Sequence, residues 1–269
     1  MYDYNEGMND TGILWTQKTW NPVSGCDKVS EGYKFCYAEV IAERFGAPAY
    51  PNGFGLTLRP HKLQEPFRLK EPALIFVNSM SDLFWEEISD DYRDQILEVM
   101  EQTPQHQYQV LTKRPAELLR YSQRHKLPSN FWAGVTIESI HTAARIDLLR
   151  QVDVPIHFIS AEPLLDDLGS VLHLKGIQWL ITGGESGRHL FDPATRERRG
   201  LVNYEKGKWL PRPERMDWIR HLRDLCITNK VAHLFKQWGG LTPKSAGREL
   251  DGQTWDEFPL FPTVFPKAA

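Results

Sequence analysis

Two sets of side chains in this sequence have types and spacings that could do chemistry. The first is SGCDKVSEGYKFCYAEV (24–40), where Cys26 and Cys36 flank Tyr33 and Phe35 in a turn-rich segment that runs into a helical pattern. Two neighbouring thiols in a chain with three cysteines point to ligation, catalysis or packing in a reducing compartment rather than to a disulfide framework. The second set recurs after short apolar runs. It comprises Asn78, Ser79 and Asp82, then Lys113 and Arg114, Glu138, Glu162, Gly183 to Glu185, and Lys236 with Gln237. Lys113, Glu138 and Glu162 have the chemistry of acid and base groups, Lys113 and Arg114 that of an anion clamp, and the glycine pair permits close backbone approach to a ligand.

What must position them is a march of strands. GILWT (12–16), LIFVNS (74–79), QYQVLT (107–112), WAGVTI (132–137), PIHFIS (155–160), IQWLIT (177–182) and VAHLFK (231–236) are the apolar runs expected of buried parallel strands. Between most of them lie helical patterns at 36–45, 89–103, 115–126, 140–152 and 213–229, with Ser89 as an N-cap and Pro115 at a first helical position. Repeated βα units predict an α/β fold, a TIM-like complete or partial barrel of parallel strands, in preference to an open doubly wound sheet. The second set of residues follows successive strands, so a barrel would gather it at one mouth. The expected organisation is a single domain over 1–269, with insertions at 46–73 and 187–215 and an irregular tail packed through Trp255, Phe258 and Phe261.

Composition excludes several classes. A formal net charge of -3 argues against coating nucleic acid by bulk electrostatics. No apolar run is long enough for a membrane span and the first residues carry no secretory signal pattern, so the expectation is a cytoplasmic protein with no membrane partner. The nine histidines show no zinc-hydrolase spacing, and no P-loop, GxSxG or dinucleotide fingerprint appears.

With a cysteine at position 33 the first segment would read C-x6-C-x2-C. Three such thiolates at a barrel mouth can hold three irons of a [4Fe–4S] cluster and leave the fourth open. The segment thereby resembles the loop of radical S-adenosylmethionine enzymes. More closely, and over nearly its full length, the chain resembles a bacteriophage-associated family of three-cysteine proteins, the gene-product thirty-seven-like phage proteins. The matching stretches are TGILWTQKTWNPVSGC, FCYAE, FVNSMSDLF, QVLTKRP, SAEPLL, GGESG and FKQWGG. The resemblance implies an iron–sulfur protein that reductively cleaves S-adenosylmethionine and starts radical chemistry on a substrate of nucleotide or nucleic-acid kind, with a reductant protein as partner. It implies Cys26 and Cys36 as the first and third ligands, Tyr33 in the middle ligand position, Phe35 beside the adenine, and GGESG on the amino acid part of the cofactor. Asn78, Ser79, Asp82, Arg114, Lys236 and Gln237 complete the expected cofactor and substrate site.

Tyr33 keeps the alternatives open. A phenol is a hard donor of high pKa, which leaves an unusual cluster, a lost cluster in a repurposed barrel, or a substitution peculiar to this chain. The competing reading is a barrel without a cluster that binds a nucleotide, nucleic acid or protein partner; a third is a hydrolase or lyase built on Lys113, Glu138 and Glu162. Each residue also has a plainer role available. Asn78, Ser79 and Asp82 can cap a turn, Glu138 and Glu162 can pair with nearby cations, Trp15, Trp20 and Trp238 can pack, and Cys226 sits on the apolar side of a helix.

Overall fold

The structure, a computed structural model, describes Met8 and residues 11–260. The chain opens with β1 (Lys18–Trp20), β2 (Val23–Ser24), α1 (Tyr37–Phe45), β3 (Thr57–Leu58) and α2 (Glu65–Arg68). Strand and helix then alternate through β4 (Leu74–Val77), α3 (Asp90–Gln102), β5 (Gln107–Thr112), α4 (Pro115–Ser122), β6 (Phe131–Thr136), α5 (Arg145–Leu149), β7 (Ile156–Ala161) and β8 (Trp179–Gly183). After β8 come α6 (Pro193–Arg199), a hairpin of β9 (Val202–Glu205) and β10 (Lys208–Pro211), α7 (Pro213–Asn229) and β11 (Ala232–Gln237).

Seven strands form one sheet in the order β1-β4-β5-β6-β7-β8-β11. Every neighbouring pair in it is parallel. The sheet curls into a partial TIM-like barrel with β1 and β11 at its two ends, which settles the complete-or-partial alternative.

Alternation along the strands sorts residues into two cores. Leu74, Phe76, Trp132, Ile156, Phe158, Trp179, Ile181 and Leu234 face inward and, with Trp15, fill the lower half of the barrel. Their neighbours, among them Ile75, Val77, Val110, Ala133, Val135, Ile159 and Leu180, belong to the larger core that also takes in the helices. Gly134 is what lets Phe158 in: a Cβ there would lie 2.3 Å from the Phe158 ring.

The run GILWT is not a strand. Thr16 N donates to Ile13 O at 3.3 Å in a turn, and the first strand begins at Lys18. Trp15, with the partly buried Ile13 beside it, acts as a plug instead: its ring sits 4.5 Å from Phe76 and 6.3 Å from Trp179. The pattern at 140–152 also divides, into a short 3-10 turn at Ile140–Thr142 and α5. There the Thr142 hydroxyl accepts from Glu138 N and Ser139 N, capping the start of the 3-10 turn. Ser89 caps α3 by accepting from Tyr92 N, and Pro115 and Pro213 open α4 and α7.

The segment after the last strand covers an edge. Phe235 N donates to Trp255 O and Glu257 N to His233 O, while the Phe258 ring lies 5.0 Å from Trp179. Phe261, expected to share in this packing, lies outside the described residues. No helix of the described residues is long and apolar enough to cross a membrane.

Candidate functional site at the mouth of the barrel

The inward face that is apolar at the bottom turns polar at the top, because each strand's inward positions continue past its carboxyl end. Phe76 leads to Asn78, Leu111 to Lys113, Trp132 through Gly134 to Thr136 and Glu138, Phe158 through Ser160 to Glu162, Ile181 through Gly183 to Glu185, and Leu234 to Lys236. One period-2 pattern thus builds both the plug and the mouth.

Many of the expected site residues have definite partners. Asp82 is almost fully buried and accepts from Phe84 N, Thr112 Oγ1 at 2.7 Å, Lys113 N at 2.9 Å and Arg114 Nη1 at 3.3 Å. Arg114 also pairs with Asp27 and with Glu86 at 2.9 Å. This is an internal clamp, and Asp82 and Arg114 are consumed by it rather than presented to a ligand. Ser79 Oγ bonds Asn21 Oδ1, and its carbonyl accepts from Tyr37 Oη. Asn78 adopts a left-handed conformation (φ 58°), and its Oδ1 accepts from Val23 N. Glu162 accepts from Lys236 Nζ at 2.5 Å, and Gln237 Nε2 donates to Gly184 O at 3.0 Å. Gly183 and Gly184 serve packing between strands: a Cβ on Gly184 would come within 2.0 Å of Trp238 O.

Three residues that matter escaped the sequence reading. Arg145 donates to Glu138 Oε2 at 2.9 Å. Arg199, 1% exposed, holds both carboxylate oxygens of Glu185 at 2.6 and 2.7 Å and donates to Glu31 O at 3.0 Å. His189 stacks on Phe35 with ring centroids 3.8 Å apart and 2° between planes, with Nε2 3.2 Å from Glu185 Oε2. Arg199 also lies over the Phe35 ring, 5.2 Å from its centroid. Burial opposes ionisation of Glu185, but Arg199 and then His189 outweigh it and hold the carboxyl below its usual range.

Some polar atoms at the mouth are buried and have no hydrogen-bond partner among the described residues. They include Glu138 Oε1, Thr136 Oγ1, Asn78 Nδ2 and Ser30 Oγ. Glu138 is 1% exposed, with its carboxyl against Gly32, where a Cβ would lie 3.3 Å from Oε1. Lys113 Nζ makes no hydrogen bond or ion pair among the described residues and sits 3.7 Å from the centre of the Tyr33 ring. Loss of hydration brings the Lys113 ammonium down to about 8, against the pull of Glu138 and Cys26.

Cys26, Tyr33 and Cys36 belong to this same mouth. Cys26 Sγ accepts from Arg114 Nη1 at 3.5 Å and donates to Asp27 O; burial and then Asp82 push its thiol up, against Arg114. Cys36 stands at the N-cap of α1, partly buried, and burial raises its thiol as well. Tyr33 is buried under Lys113. These residues do not fit a [4Fe–4S] cluster. The middle donor is a phenol whose ring face carries an ammonium, and the first thiol is engaged by a guanidinium. Among the described residues no group of three His, Cys, Asp or Glu side chains is arranged to hold a metal.

The chain was compared with known proteins. The family described as "Protein of unknown function (DUF5131)" matches residues 10–196 and 202–259. No curated protein sequence matches significantly. Among solved structures, spore photoproduct lyase complexed with dinucleoside spore photoproduct superposes with a TM-score of 0.54 at 12% identity, over 86% of this chain and 79% of that one. A variant of the lyase with bound AdoMet and dinucleoside spore photoproduct gives 0.52 at 11% identity, over 86% and 79%. At such identities the likeness is one of fold.

Proposed function

The chain belongs to the DUF5131 family, and from the chemistry of its mouth we propose that it binds a nucleoside-type ligand there without a [4Fe–4S] cluster. The observation that carries this reading is the buried, unpartnered Glu138 Oε1 beside an unpaired Lys113 ammonium. A buried acceptor without a donor is destabilising by roughly 1–3 kcal/mol, and a ligand that supplies the donor removes that cost.

A ribose matches the pair. One hydroxyl donates to Glu138 Oε1, and an oxygen of the same sugar accepts from Lys113 Nζ. Thr136 Oγ1, Asn78 Nδ2 and Ser30 Oγ add further polar contacts, and the Phe35–His189 stack offers an aromatic wall for a base. The lyase structures of the same fold, holding a dinucleoside and in one case AdoMet, support a nucleoside ligand as the class to test first. In this reading Lys113 and Glu138 bind and orient. Arg145 aims Glu138, and Glu162 with Lys236 forms part of the wall.

Isothermal titration with AdoMet, adenosine and 5′-deoxyadenosine tests the proposal. Glu138→Gln is expected to weaken binding at least about tenfold, or about 1.4 kcal/mol, with the unfolding temperature little changed. Failure of all three compounds to bind, or equal binding by the variant, overturns the ribose assignment. Anaerobic reconstitution with iron and sulfide separately tests the missing cluster: the chain is expected to stay colourless and iron-free, and uptake of four irons with a thiolate-to-iron absorption band overturns that part.

A further inference from the structure

Away from the mouth, the insertion between β8 and α7 carries an aromatic groove that the ligand reading does not use. The β9–β10 hairpin turns at Lys206 and Gly207, both with positive φ (48° and 81°), the backbone of a two-residue type I′ turn. That turn places Tyr204 directly opposite Trp209, with ring centroids 4.8 Å apart. Phe191 completes the cluster at 5.2 Å from Tyr204 and 5.3 Å from Trp209. The groove they line with Lys208, Leu210, Leu241 and Ser245 has a volume of about 470 Å³. Its floor is fixed, since Gly240 approaches Trp209 so closely that a Cβ would lie 3.0 Å from the indole, and Gly187 N donates to Gly240 O.

Phe191 and Tyr204 are 43% and 38% exposed, so a substantial aromatic surface faces solvent in a built concavity. The surrounding charge is positive on balance, although Glu205 stands opposite Lys208 in the hairpin. Residues 187–215 carry eight Lys or Arg and four Asp or Glu, in a chain of net charge -3. Arg199 is paired with the buried Glu185 and Arg212 with the exposed Glu197 and Glu214, whereas Lys206 and Lys208 make no ion pair among the described residues. Exposed rings bordered by unpaired cations match a polymer of flat bases on an anionic backbone better than an apolar peptide, which would leave the lysines unmatched.

We propose that this groove binds single-stranded nucleic acid, stacking a base on Tyr204 and Phe191 and placing phosphates against Lys206 and Lys208. The site is separate from the ribose site at the mouth and stands or falls independently of it.

Fluorescence anisotropy of the full chain with a dye-labelled oligothymidylate tests this. Tyr204→Ala is expected to raise Kd about tenfold, the loss of one stacked base. Lys208→Ala is expected to reduce the slope of log Kd against log salt by about 0.7. Nucleoside affinity at the mouth and the circular dichroism spectrum should be unchanged in both variants. Equal binding of an oligonucleotide that lacks bases overturns the stacking, and so does an unaltered Kd in Tyr204→Ala. No binding of the oligothymidylate by the intact chain, with or without capture of an apolar peptide, overturns the proposal altogether.

Discussion

The lower and upper halves of the barrel are made from the same strands and obey opposite rules. Below, the inward positions are Phe76, Trp132, Phe158, Trp179 and Leu234, which exclude water, with the Trp132 and Trp179 indole N–H groups donating to Gln107 Oε1 and Glu257 O. Above, further along the same strands, the inward positions become polar, and many are either paired with a specific partner or left with an unsatisfied atom. The difference teaches where stability and function divide: the plug holds the sheet's curvature, and the mouth tolerates unpaired groups because the plug does.

Truncating the plug is the most direct way to break this division. Phe158→Ala removes a ring enclosed by Trp15, Trp179 and the Gly134 backbone, and a loss of about 4 kcal/mol is expected in urea unfolding. If Phe158→Ala cost less than about 1 kcal/mol, the lower half would not be the stabilising one.

A cut in the upper half should behave differently. Arg199→Ala leaves the Glu185 carboxylate buried without its bidentate partner, with an expected loss of about 3 kcal/mol. The damage should be local, seen as faster proteolytic cleavage within 187–215 while hydrogen exchange in β5 and β6 stays slow. Uniform loss of protection would show that the two halves are one unit.

Acid sharpens the comparison from the lower side. His233 is buried on β11 with Nε2 3.0 Å from Thr182 Oγ1 and Nδ1 unpartnered. Burial, with a smaller contribution from Arg223, brings it down to about 4 from 6.5. A folded-state pKa below the unfolded one means that its contribution is intact above about pH 6.5 and disappears as pH falls toward 4, because the unfolded chain binds the proton first. The expected loss by pH 5 is about 2 kcal/mol. In His233→Gln the stability profile between pH 6.5 and 5 should be flatter by that amount; superimposable profiles would remove His233 from the account.

Much of the fold was readable because buried parallel strands advertise themselves. QYQVLT is β5 to the residue, and PERMDWIRHLRDLCITN is α7 to the residue. GILWT misled because a plug and a strand have the same composition, and the three-residue β1 is too short to show a period. At the mouth, period-2 continuation made Lys113, Glu138, Glu162, Glu185 and Lys236 legible as strand-end groups. Their pairings were not. Glu138 takes Arg145 rather than Lys113 or Arg114, and Arg199 reaches Glu31 across a separation of 168 residues, which no local spacing encodes. Asp82 and Arg114 looked like ligand groups because a sequence displays charge without displaying what neutralises it.

The Arg199 tether reaches further than the wall it helps to build. It joins the segment after β1 to the segment after β8, elements with four strands between them in the sheet, and Arg198 adds a second, exposed link to Glu31 at 3.6 Å. A sealed cylinder is stitched shut by peptide ladders. Here side chains do that work: salt weakens the exposed Arg198–Glu31 thread, whereas the buried Arg199–Glu185 pair is shielded from it.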